Sequence, residues 1–202
     1  MSGRSDYFKV FELPRKLGID GDELQRRFYE LSRRVHPDFF QTGTPAEQAW
    51  SLERSALINR AYRTLRDLVS RVEYLIQLEE GRETKEGATG IKPQAPTDLL
   101  EEMLEIQEAL QEAKAGGLDG PRRQHLRDVQ ARLTERRKSE EASLLDLARG
   151  WDAVVDGGGE RKALLDRMKQ ALAARAYLDT VINDLGDALG EETQRDVSHR
   201  RH

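Results

Sequence analysis

The chain is expected to be all-α, with an N-terminal helical hairpin followed by a C-terminal antiparallel three-helix bundle. Composition is the first reason: of 202 residues, 37% are hydrophobic, 35% charged and only 6% aromatic, an Ala/Leu/Glu/Arg-rich usage that favours helices over sheets. The second is that apolar residues recur at helical spacing through each long segment. The third is punctuation. Pro37, Pro45, residues 81–96, Gly116-Gly117 and Gly157-Gly158-Gly159 fall between those segments, where a helix must stop or turn.

Asp6-Tyr7-Phe8-Lys9-Val10-Phe11, closed by Leu13-Pro14, reads as a short helix or turn whose aromatics need a surface to pack on. Asp20 or Asp22 is the capping candidate for the next helix. In it Leu24, Phe28, Leu31 and Val35 form one apolar stripe at i, i+4, i+7 and i+11. Arg26, Tyr29 and Arg33 then project away from the core, with Arg27 and Arg34 at the flank. Pro37 lacks an amide proton and drives His36 out of the helical region, so this helix stops at His36-Pro37-Asp38. The result is a corner that carries one imidazole and one carboxylate.

Pro45 suits the first turn of the second hairpin helix. Ala49, Leu52, Ala56, Leu57, Ala61, Leu65 and Leu68 are expected to be its apolar seam, with the pattern continuing through Arg71, Tyr74, Leu75 and Leu78 to about Glu80, where Gly81 can end it. Residues 81–96 hold three glycines and two prolines and mark a linker between a domain at 5–80 and a bundle at 97–190. Thr97-Asp98 caps the first bundle helix, which carries Leu99, Leu100, Met103, Leu104, Ile106 and Leu110. A second runs from Pro121 to about Leu147, using Leu126, Val129, Leu133, Leu144 and Leu145, and residues 150–159 are expected to break it. The third uses Leu164, Leu165, Met168, Leu172, Tyr177, Leu178, Val181, Ile182, Leu185 and Leu189. The polar stretch 191–202 is expected to be a disordered tail.

A net charge of −4 spread along the chain argues against a nucleic-acid binder with a large basic face. The absence of cysteine excludes disulfides, thiolate metal sites and a cysteine nucleophile, and makes a cytoplasmic address the default. Residues 1–6 are polar with no apolar run behind them, and nowhere do about eighteen apolar residues follow one another. A soluble chain with no membrane contact and no cleaved export signal is therefore expected. His125, His199 and His202 lack the companions a metal site needs. No catalytic residues and no cofactor are expected, because neither a nucleophile motif nor a glycine-rich phosphate loop accompanies His36 and Asp38.

The His-Pro-Asp corner between antiparallel helices, the Asp6-Tyr7-Phe8 start and Ile58-Asn59-Arg60-Ala61-Tyr62-Arg63-Thr64-Leu65 together resemble a J-domain. Arg71-Val72-Glu73-Tyr74-Leu75 and the C-terminal helical bundle narrow the resemblance to the HscB type, the co-chaperones of iron-sulfur cluster assembly. It is strong over residues 5–80 and weaker over 97–190. The resemblance implies that His36, Pro37 and Asp38, aided by Arg26, Arg27, Arg33 and Arg34, dock on a seventy-kilodalton heat-shock chaperone of the HscA or DnaK class and stimulate its ATPase. It further implies that Leu100, Leu104, Glu105, Glu108 and Glu112, with Tyr177, bind a scaffold protein of the IscU type.

Two departures bear on this. Phe39 follows Asp38 where many J-domains place a lysine, and Glu23 and Glu30 dilute the positive charge of the preceding helix; both weaken attraction to an acidic partner. The zinc module that some relatives build from N-terminal cysteines is absent. Two rivals stay open, a J-protein serving a different client and a helical structural or oligomerising module. Long helices with exposed leucines also leave self-association open.

Overall fold

The computed structural model describes residues 6–81, 92, 94, 103–104, 106–108, 110–111 and 119–190. Those residues are mostly helical and contain no strand. In order they form α1 (Tyr7–Val10), α2 (Gly21–Val35), a 3₁₀ turn (Pro37–Phe40), α3 (Pro45–Arg66), α4 (Leu68–Glu79), α5 (Gly120–Gly157) and α6 (Arg161–Leu189). Most of 81–96 and all of 191–202, the expected linker and tail, lie outside the described residues.

The chain divides into two compact units, and their limits are not those expected from the glycine- and proline-rich segment. The first unit joins residues 1–90 to Asp146–Met168; the second joins Ile91–Leu145 to Lys169–His202. The end of α5 and the start of α6 therefore belong with the N-terminal helices. Trp151, with no exposed surface, lies in the first unit's core with Phe8, Phe11, Leu17, Leu24, Ile58, Leu65 and Leu75.

Within the first unit each end of α2 has a local cause. The Asp20 carboxylate accepts from the amides of Asp22 and Glu23 at its start, satisfying two donors that have no intrahelical partner. Leu24 and Val35 are buried and Phe28 and Leu31 half-buried, as the stripe requires. The ring of Phe28 stacks on Tyr62 of α3, with centroids 4.2 Å apart. The α1 aromatics find their surface on α4: Tyr7 stacks on Tyr74 at 4.4 Å, and the Tyr7 amide donates to the Tyr74 hydroxyl at 2.9 Å.

Three sequence expectations fail here for identifiable reasons. α3 and α4 are two helices, because Asp67 is extended (φ −95°, ψ 131°) and its carboxylate caps α4 by accepting from the Ser70 amide at 2.8 Å. The α3 seam is Ser51, Ile58, Ala61 and Leu65, while Ala49, Leu52 and Ala56 are exposed; an Ala-rich helix offers several apolar faces, and packing selects one. Last, α5 runs through Gly150 to Gly157. Glycine weakens a helix by only about 1 kcal/mol relative to alanine, and the buried neighbours Leu147, Ala148 and Trp151 carry α5 through Gly150. The turn comes instead at Gly158 and Gly159, both at positive φ (78° and 152°).

In the second unit Ile106, Leu126, Val129, Leu133, Leu178, Val181, Leu185 and Leu189 form one buried cluster, drawn from three helical segments. Arg137 pairs with Asp179 at 3.1 Å and Arg175 with Glu141 at 3.2 Å, a register that sets α5 and α6 antiparallel. Leu145, expected in the core, is half exposed, whereas its neighbour Leu144 is buried. Among the described residues no helix is long and apolar enough to cross a membrane, and no group of three His, Cys, Asp or Glu is placed to hold a metal ion.

Candidate functional site

The His-Pro-Asp corner is held by bonds on both sides. His36 is extended (ψ 129°) and caps the 3₁₀ turn that Pro37 opens. Its Nδ1 accepts from the Asp38 amide at 3.3 Å, which in the neutral imidazole places the ring proton on Nε2. The Asp38 carboxylate lies 3.5 Å from the same Nδ1 and accepts from the Gln41 amide group at 3.4 Å. Both side chains stay mostly in solvent, His36 at 52% and Asp38 at 69% exposure. The corner thus presents an N–H donor and an anionic acceptor on a short, hydrogen-bonded turn.

Two sets of bonds order the helices on either side of this turn, the first at the start of α3 and the second between α2 and α3. Thr44 caps α3 in a reciprocal box with Glu47: the Thr44 side chain accepts from the Glu47 amide, and the Glu47 carboxylate accepts from the Thr44 amide at 2.7 Å. The backbone and hydroxyl bonds from Thr44 hold the Glu47 carboxyl below its ordinary range. Deeper in, the buried Ser51 hydroxyl donates to the Val35 carbonyl at 2.7 Å, one of the last α2 carbonyls, which have no partner within their own helix. Ser51→Ala is expected to cost about 1–2 kcal/mol by leaving that carbonyl unsatisfied, measurable as a lower urea midpoint with an unchanged slope. Sequence spacing misses Ser51, because a serine between apolar positions reads as solvent-facing.

The arginines divide into two sets. Arg26 is exposed and pairs with Glu23. Arg27 is two-thirds buried: Nε donates to Glu23 at 2.7 Å, while one terminal nitrogen donates to the Phe11 and Glu12 carbonyls at 2.5 and 3.2 Å. It therefore fastens α2 to the end of α1, which sequence spacing could not reveal. The bonds from Arg27 and Arg26 hold the Glu23 carboxyl below its usual range. Arg33 and Arg34 are exposed in the last turn of α2, so positive charge sits directly beside the corner. With Asp22, Gln25, Arg26, Tyr29 and Glu30 they line a shallow groove on the outer face of the helix.

In the second unit, Leu104 is 64% exposed while Ile106 is buried. Glu108, four residues after Leu104, is exposed as well, so the pair shares a helix face. Leu100, Glu105 and Glu112 lie outside the described residues. Tyr177 is partly buried against the bundle cluster, and burial raises its phenol pKa.

No protein-family model matches the sequence. Among solved structures the chain is similar to the chaperone HscB from Vibrio cholerae, with 23% identity over 91% of this chain and 96% of that one and a TM-score of 0.57. It is also similar to the human co-chaperone HscB, with 22% identity over 92% of this chain and 82% of that one and a TM-score of 0.60. At these identities the likeness shows the fold, a J-domain with a C-terminal helical bundle.

Proposed function

We propose that the chain is an HscB-type co-chaperone that recruits a seventy-kilodalton heat-shock ATPase of the HscA or DnaK class to an iron-sulfur scaffold protein of the IscU type. The observation that carries this reading is the exposed His36-Pro37-Asp38 corner, tied down on both sides, on a fold shared with HscB chaperones over nine-tenths of the chain. The chain itself hydrolyses nothing. It binds one conformation of the ATPase better than another and so shifts the population that hydrolyses ATP. Asp38 supplies the acceptor for a cation on the partner and His36 Nε2–H a donor. Arg26, Arg33 and Arg34 steer the α2 face toward acidic surface, an effect that falls with ionic strength. Arg27 contributes mainly by holding that face in place.

The bundle is the client arm. Leu104 and Glu108 carry the contact among the described residues, joined by Leu100, Glu105, Glu112 and Tyr177. An exposed leucine bordered by carboxylates suits an interface with an apolar centre and a charged rim. Calorimetric titration of the full chain with an iron-sulfur scaffold protein tests the arm. Binding is expected, and Leu104→Ser is expected to weaken it about tenfold, the value of losing one buried apolar contact. A scaffold that fails to bind the wild-type chain removes the iron-sulfur assignment and leaves the corner unaffected.

A further inference from the structure

Phe39 is 70% exposed, more than any other large apolar side chain among the described residues. Its exposure is imposed by the fold. The Phe39 amide donates to the His36 carbonyl at 3.0 Å, closing the 3₁₀ turn. In such a turn successive side chains point about 120° apart. Phe40 faces α3, with its ring 5.7 Å from Trp50, which leaves Phe39 facing outward. There its ring meets the His36 imidazole edge-on, with centroids 6.2 Å apart and planes at 70°.

Single exposed apolar residues are common on protein surfaces and need no explanation. Phe39 differs in its company. It follows Asp38 directly, touches His36, and is continued by half-exposed Trp50 behind Phe40. A surface that bonds to both His36 and Asp38 must also cover the ring lying beside them. A polar surface there would be desolvated without gaining a hydrogen bond, because the ring offers none.

We infer that Phe39 is a specificity-determining residue of the corner, seated in an apolar recess of the partner ATPase between the cation that meets Asp38 and the acidic surface that meets Arg33 and Arg34. The inference rests on the corner being the docking site for that ATPase. Recognition is then partly apolar and partly electrostatic, and the two parts separate by their response to salt.

The test is steady-state ATPase stimulation by the full chain, titrated at two ionic strengths, for Phe39→Ser, Phe39→Leu and Asp38→Asn. Phe39→Ser is expected to raise the half-saturating concentration about tenfold while the maximal rate is retained. Its salt dependence should match wild type, because no charge is lost. Phe39→Leu should stay within about threefold of wild type, because it keeps the apolar contact. Either an unchanged half-saturation in Phe39→Ser or a Phe39→Leu variant as weak as Phe39→Ser overturns the inference; the latter would assign the effect to the ring's contact with His36. Full stimulation by Asp38→Asn would overturn the docking site itself, whatever Phe39 does.

Discussion

Asp38→Asn is expected to reduce stimulation of the partner ATPase about a hundredfold, or to background, with no change in the melting temperature. The carboxylate is 69% exposed, and among the described residues its side-chain amide donor is Gln41 at 3.4 Å, so it contributes little to the fold. In the variant the backbone N–H at this position still donates to His36 Nδ1, keeping the turn. What disappears is the charge that a docked cation must face. Removing one member of a desolvated charge pair at an interface costs about 2–5 kcal/mol, and about 1.4 kcal/mol corresponds to a factor of ten. Single-turnover ATP hydrolysis and a thermal melt, run on the same preparation, decide it. If the variant melts well below wild type, the corner is structural and the co-chaperone reading loses its main support.

Arg71→Leu should destabilise the first unit by about 3–5 kcal/mol, a large part of the roughly 5–15 kcal/mol that holds a typical domain. Arg71 is 7% exposed. Its Nε donates to the Leu65 carbonyl at 2.6 Å, one terminal nitrogen to the Arg66 carbonyl at 3.3 Å and the other to the Leu17 carbonyl. Leu65 and Arg66 end α3, where the last four carbonyls have no intrahelical partner. One guanidinium therefore closes a helix and holds a distant loop. Burial lowers its pKa while Asp67 and Asp152 raise it; because the ordinary value lies so far above neutrality, the group stays charged and the effect should not vary with pH between about 5 and 8. Arg71→Lys should recover less than half, since an ammonium cannot reproduce the planar fork. Urea unfolding followed through buried Trp151 measures both variants. A cost under about 1 kcal/mol for Arg71→Leu would mean that water replaces the guanidinium.

The helices can be read from the sequence where a local rule governs them. The stripe of Leu24, Phe28, Leu31 and Val35, a cap at Asp20 or Asp22 and the stop at Pro37 each depend on residues within a few turns; the stripe and the stop are present, and the cap is Asp20. The all-α class and the corner between antiparallel helices follow from them. Local rules give the wrong answer where packing outweighs propensity: Gly150 continues a helix between buried Ala148 and Trp151, and Ser51 replaces Leu52 on the buried face of α3. Among the site residues, the exposure of His36 and Asp38 can be read from the proline stop. Arg27 cannot be assigned that way, because its partners are carbonyls in another segment.

Residues 15–18 mark the limit of such local reading most clearly. This loop is satisfied by side chains from far along the chain: Trp151 donates to the Arg15 carbonyl at 2.8 Å, Arg71 donates to the Leu17 carbonyl, and the Asp152 carboxylate accepts from the Leu17 and Gly18 amides at 2.6 and 2.7 Å. At Gly18 a Cβ would lie 2.7 Å from that carboxylate, so a side chain there would displace Asp152 from its amide partners. These contacts bring Asp146–Met168 into the first unit. Where helices start, stop and turn an apolar face is written in the chain itself, because neighbours three or four residues apart make those choices. Which polar side chain satisfies which buried backbone group is settled by folding, because Leu17 and Asp152 are separated by 135 residues and only the packed chain brings them together.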